Sequence, residues 1–178
     1  MPVPGECGDC LRQPPVLTHT RAVFVYGFPL DRLVPRFKFH RDLAAGHVMA
    51  ELMAGVLASA PRPEAIVPVP LHALRLRERG YDQALELARP LATALGLALR
   101  PDLLQRTRST RAQSELDAEQ RRRNLARAFT ARDTASLPGH VALVDDVMTT
   151  GATLHAAAHA LLRAGVRRVD AWVCARVP

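Results

Sequence analysis

The stretch that most constrains this chain is His140-Val141-Ala142-Leu143-Val144-Asp145-Asp146-Val147-Met148-Thr149-Thr150-Gly151-Ala152-Thr153. Val141 to Val144 form a short uninterrupted apolar run, the pattern of a strand covered on both faces. Asp145 and Asp146 stand where that run stops. Thr149, Thr150, Gly151 and Thr153 then supply hydroxyls and unhindered amides, and an alanine-rich helix is expected from about Thr153. The free N–H groups at a helix start form an anion site, and phosphate is the anion most often held there. Two carboxylates beside a phosphate cradle suit a ligand with both phosphate and hydroxyls, such as a ribose phosphate. A plainer reading is a strand ending in an Asx turn, with a threonine capping the next helix. It accounts for Asp146 and Thr153 but not for the whole run.

At 178 residues the chain is long enough for one domain with a real core. Its apolar runs fall far short of the roughly 20 residues a membrane span needs. Met1-Pro2-Val3-Pro4-Gly5 has no basic region followed by an apolar core, so no signal peptide and a cytoplasmic location are expected. The formal net charge is +7, nearly all from arginine, with Lys38 the one lysine. Arginine suits bidentate phosphate contacts, although such a bias also arises from genome composition. With one Trp, two Tyr and five Phe, a broad aromatic platform for single strands is not evident.

Residues 1–20 read as an irregular Pro- and Gly-rich tail, and residues 21–178 as the folded domain. Cys7-Gly8-Asp9-Cys10 has the spacing of half a zinc knuckle. Four ligands are needed; a second pair is missing and His19 is the nearest other candidate, so a reduced pair that binds nothing competes with Zn²⁺. Ala22 to Tyr26 is β-rich, and Leu30 to Phe39 is a short helix or turn around Pro35. Arg36, Lys38, His40 and Arg41 make that segment basic; most read as a solvated face, with Lys38 able to face a phosphate. Asp42 caps a helix to Leu57 whose apolar surface is expected from Leu43, Val48, Leu52, Val56 and Leu57. Ala65 to Pro70 is a second buried strand with a fixed exit.

Arg75, Arg77 and Arg79 then alternate, fitting either an anion site or an exposed basic loop. A helix from Asp82 or Gln83 to Leu95 should kink or split at Pro90. Gln105 to Asn124 is the most polar part of the chain, read as a mobile loop over 106–113 followed by a helix from Ser114 to Arg127. Phe129 should return the chain to the sheet edge. Thr153 to Ala164 is a helix with Leu154, Ala157, Ala158, Leu161 and Leu162 inward, and His155 and His159 on a polar face. Val166 to Val177 gives the last strand, Val169 to Ala175, with Cys174 a packing residue.

Alternating strands and helices argue for a mostly parallel α/β sheet with its ligand site outside the carboxyl ends of the strands. The strand, acid pair and Thr-Thr-Gly-Ala-Thr loop resemble the phosphoribosyl pyrophosphate (PRPP) motif of type I phosphoribosyltransferases. Val67-Pro68-Val69-Pro70, Arg79-Gly80-Tyr81-Asp82-Gln83, Arg108 to Gln113 and Arg122-Arg123-Asn124 follow in the order of the ComF (competence protein F, GntX-like) branch, a resemblance covering about residues 22–178. It implies the type I fold: a mostly parallel twisted sheet flanked by helices, a small hood over roughly residues 20–40, and a flexible loop.

The resemblance also implies roles. Asp145 and Asp146 would hold the ribose hydroxyls, directly or through Mg²⁺. Val147, Met148, Thr149, Thr150, Gly151, Ala152 and Thr153 would cradle the 5′-phosphate. Pro70, Leu71 and Arg79 would face the pyrophosphate, and Arg111 and Gln113 would lie on the closing loop. Relatives usually begin with a four-cysteine zinc knuckle, of which Cys7 and Cys10 match half. The implied function is PRPP binding in DNA uptake during natural transformation, with single-stranded DNA and the uptake machinery as partners. The alternative is active Mg²⁺-dependent transfer of ribose 5-phosphate to a nitrogenous acceptor.

Overall fold

Each short apolar run in the sequence becomes a strand of one parallel sheet. The computed structural model describes residues 16–107, 128–132 and 136–178. In chain order these form β1 (Thr20–Val25), α1 (Leu30–Phe39), α2 (Leu43–Leu57), β2 (Ala65–Pro68), α3 (Ala73–Arg79), α4 (Gln83–Leu95), β3 (Ala98–Leu99), β4 (Leu104–Arg106), β5 (Phe129–Ala131), β6 (His140–Met148), α5 (Ala152–Ala164) and β7 (Arg168–Arg176). Five strands pair in parallel in the order β1-β7-β6-β2-β3. β4 and β5 form a separate antiparallel ribbon.

Strand alternation splits the core in two. Val67, Val141, Leu143, Val169 and Val173 face α5 and the ribbon. Ile66, Ala142, Val144, Trp172 and Cys174 face α1, α2 and α4. Both faces are covered, which is why the strands read as unbroken apolar runs. Cys174 is fully buried among packing residues. Leu17 is already in the core, and Thr18 donates its N–H to the Val169 carbonyl. Among the described residues no helix is long and apolar enough to cross a membrane.

Several expectations need correction. β6 does not stop at Val144 but continues to Met148, carrying both acids within the strand, because β7 keeps pairing with it as far as Met148. Residues 20–25 are not hood but an edge strand of the main sheet. Arg106 closes strand β4 instead of opening a loop, and Phe129 joins that ribbon and not the main sheet. Pro90 does not split α4, since Leu87, Ala88, Leu91 and Ala92 pack either side of it into one core. Leu85 is only half-covered there. In α5, Ala156 and Ala160 are buried with the expected residues, while Leu162 is only partly so.

The largest error lies in α2. Asp42 does cap it, accepting from the Ala45 N–H at 3.1 Å. Its buried face, however, is Ala45, Gly46, Met49, Ala50, Met53 and Leu57. Leu43, Val48, Leu52 and Val56 are each about half exposed. The reason is close approach: a Cβ at Gly46 would land on the Phe37 ring of α1. Small residues let the helices touch, and flexible methionines fill the remaining gaps.

Candidate functional site

The site forms where β2 and β6 end. β2 leaves the sheet through Val69 and Pro70, while β6 runs on past Val144, the last residue it pairs with β2. The acids occupy that overhang. Their carboxylates accept backbone N–H bonds, Asp145 Oδ1 from Asp146 at 2.9 Å and Asp146 Oδ1 from Val147 at 2.6 Å. Strand parity turns Asp145 toward the α5 face and Asp146 toward α1. There Lys38 Nζ lies 2.9 Å from Asp146 Oδ2. Close packing and the neighbouring Asp146 charge push the Asp145 carboxyl up to about 8.

After β6 the loop turns at Gly151, in the left-handed region at φ 73, into α5. The helix begins one residue earlier than expected, at Ala152. Gly151 at the N-cap has no side chain to offer it, and Thr150 Oγ1 accepts a long bond from the Ala152 N–H, at 3.4 Å. Val147 to Thr153, together with Asp145 and Leu154, line a small cavity of about 50 Å³ against this helix start. A helix N-terminus open to such a cavity favours an anion. His155, one turn into the helix, is half-buried, and burial followed by the nearby His159 lowers its pKa.

Asp145 and Thr153 also border a larger crevice of about 190 Å³. Its far wall carries Pro70, Leu71, Arg75, Arg79, Asp82 and Gln83, and Lys38 and Arg106 reach it from other elements. The alternating arginines resolve here. They lie on a helix, α3, and helical spacing puts Arg75 and Arg79 on one face. Arg77 does not line the crevice. No residue of α3 is buried, so its arginines are its main contribution. Beyond it opens a bay of about 410 Å³ lined by Lys38, Phe39, Arg41, Arg75, Glu78 and Arg79.

The structure thus brings Asp145, Asp146, Pro70, Leu71, Arg79 and the Val147–Thr153 loop together. Arg111, Gln113, Cys7 and Cys10, the 114–127 helix and most of the expected loop lie outside the described residues. One expected feature differs: the Leu71 N–H is already donated to Asp82 Oδ2 at 2.8 Å. Sequence reasoning missed Gln83 and Arg106 as site residues and left Arg75 and Lys38 open. Only the helical period of α3 would have singled out Arg75. The others converge from distant elements.

Among the described residues no group of three or more His, Cys, Asp or Glu could hold a metal. Two carboxylates do fit Mg²⁺, which commonly takes one or two protein carboxylates and completes its shell with water and substrate phosphates.

Residues 81–178 match the phosphoribosyl transferase domain family. The chain is 37% identical to competence protein F of Haemophilus influenzae, over 96% of this chain and 78% of that protein. This chain belongs to the competence protein F family of phosphoribosyltransferase-like proteins. Other members of this ComF family that it resembles are DNA utilization protein YhgH of Salmonella typhi, 38% identical over 96% of this chain and 77% of that one, and competence protein ComFC of Bacillus subtilis, 28% identical over 92% and 68%. A solved structure of an allosteric regulatory enzyme of purine biosynthesis superposes with a TM-score of 0.49 at 19% identity, over 74% of this chain and 26% of that one. That similarity is too loose to add to the fold described above. The ComF chain has the type I phosphoribosyltransferase fold, with its acid pair and the Val147–Thr153 loop at the sheet's carboxyl edge.

Proposed function

We propose that this protein binds PRPP in its cytoplasmic site and serves the uptake of DNA during natural transformation. The observation that carries the ligand reading is the junction of β6 and α5. Two carboxylates there adjoin an uncapped helix start, and cations face them across the crevice. The 5′-phosphate would rest on the amides and hydroxyls of Thr149 to Thr153. Asp145 and Asp146 would take the ribose hydroxyls, and Arg75 and Arg79 the diphosphate, as paired donors suited to phosphate. Mg²⁺ carried on the diphosphate would be held by Asp145 and Asp146 and would neutralise phosphate charge. The names of the relatives, competence protein F and DNA utilization protein, support a role with incoming DNA. The basic bay beside Phe39 supports an anionic partner such as single-stranded DNA.

A second reading is active transfer of ribose 5-phosphate to a nitrogenous acceptor. It is favoured by the cation-lined far wall, which suits a departing diphosphate. Such a site needs positioning and charge neutralisation and no covalent nucleophile. Calorimetry with PRPP and Mg²⁺ tests both readings. Wild type binds; Asp145→Ala/Asp146→Ala does not. Absence of wild-type binding rejects both. Pyrophosphate release with a nucleobase selects the transferase. Salt-sensitive binding of single-stranded DNA without release selects the binding module.

A further inference from the structure

The segment Arg79-Gly80-Tyr81-Asp82-Gln83 links α3 to α4, and its contacts show what each residue does. Asp82 caps α4, accepting from the Leu85 N–H at 3.1 Å with one oxygen and from the Leu71 N–H at 2.8 Å with the other. The turn after β2 is thereby tied to the helix start, and its amide is withdrawn from any ligand. Tyr81 packs its ring on Phe37, centroids 5.9 Å apart. Gly80 sits at φ +84, and an added Cβ would stand 3.0 Å from Arg41 Nη2, so glycine both makes the turn and leaves room for that guanidinium.

Arg79 itself is gripped from two sides. Its Nη1 donates to Gln83 Oε1 at 2.8 Å. Its guanidinium carbon lies 5.3 Å from the ring centroid of Phe39. Gln83 is 3% exposed, and Phe39, at 66%, is one of the most exposed large apolar side chains. An aromatic ring left in solvent at the rim of a site is explained if it serves as a shelf for a cation. Arginine has no acceptor atom, so the Gln83 amide must turn its oxygen toward it. Its Nε2 then makes no hydrogen bond. The grip therefore leaves a buried donor unmet, an arrangement that costs stability.

We propose that Phe39 and Gln83 are positioning residues that hold the Arg79 guanidinium at the crevice, making it the reader of the ligand's diphosphate end. With the Leu71 amide engaged by Asp82, this subsite is built from side chains. Preorganisation is the physical gain: the long arginine loses its rotamer freedom on folding and not on binding. The inference rests on the PRPP reading above.

The test is calorimetry in Mg²⁺ with three probes: PRPP, inorganic pyrophosphate and ribose 5-phosphate. Gln83→Leu and Phe39→Leu each lower affinity for PRPP and pyrophosphate roughly tenfold and leave ribose 5-phosphate unchanged. Phe39→Tyr keeps the shelf and restores wild-type binding. In an Arg79→Ala background neither leucine variant has a further effect, because both act through that guanidinium. Phe39 is exposed, so its variant folds whatever happens at Gln83. Equal PRPP affinity in wild type and the single variants, or full additivity with Arg79→Ala, overturns the clamp and leaves the PRPP reading intact. No PRPP binding by wild type overturns that reading, and the diphosphate subsite with it.

Discussion

The two walls of the crevice are made in different ways. The β6–α5 wall is contiguous: strand, acids, loop and helix start follow one another over residues 140–154. The opposite wall is assembled, with Lys38 and Phe39 from the end of α1, Arg75 and Arg79 from α3, Gln83 from α4 and Arg106 from the ribbon. The contiguous wall needs only local geometry to work. The assembled wall works only when α1, α3, α4 and the ribbon come together. It therefore carries the interactions that cross between elements, such as Lys38 with Asp146 and Arg79 with both Phe39 and Gln83.

Substitutions separate the walls. The largest effect is expected from Asp146→Ala, about a hundredfold loss of affinity for PRPP and for ribose 5-phosphate alike, since hydrogen bonds to a charged group are worth about 1.5–3 kcal/mol each. Calorimetry reads it, and a loss confined to PRPP would refute the assignment of this acid to the ribose. Lys38→Met removes the cation facing Asp146 from the assembled wall. About a tenfold loss for PRPP is expected, with a lower melting temperature, because Asp146 is left largely buried without its partner. Unchanged melting and binding together would mean the ion pair does not organise the site.

A pH series probes the acid pair without ligand. Asp145 is raised in the folded protein, so the folded state holds a proton that the unfolded chain releases near the ordinary carboxylate value of about 3.9. Stability is then fully present below that value and falls as pH rises through about 8. Asp82 is also raised, by burial first, and contributes in the same direction. Asp170 moves the other way: burial raises it, but hydrogen bonds from Arg168 and His140 outweigh this and lower it. Its contribution therefore changes below the ordinary carboxylate value. Denaturant unfolding at pH 5 and pH 8 should show higher stability at pH 5, and Asp145→Asn should flatten the difference. A slope that persists in Asp145→Asn would put the proton elsewhere.

The smallest effect concerns α2, which docks behind the assembled wall. Leu52→Gln should change stability by no more than about 0.5 kcal/mol, whereas Met53→Ala next to it should cost about 2–5 kcal/mol. A large cost at Leu52 would show that its exposed face is covered by a partner in solution.

Sequence alone determined the strand type of β2, β6 and β7, the cap at Asp42, and the contiguous wall from Asp145 to Thr153. Each depends on residues close together in the chain: an apolar run long enough for one buried strand, a capping oxygen three residues from its N–H, an acid pair next to a loop. Tertiary structure decided what depends on distance in space. It chose the inward face of α2 through the contact of Gly46 with Phe37. It turned the arginines after β2 into two that face the site and one that does not. It set Lys38 against Asp146, 108 positions away along the chain. Periodicity registers which residues share a face, but not which face meets a neighbour when small residues permit closer packing than large ones.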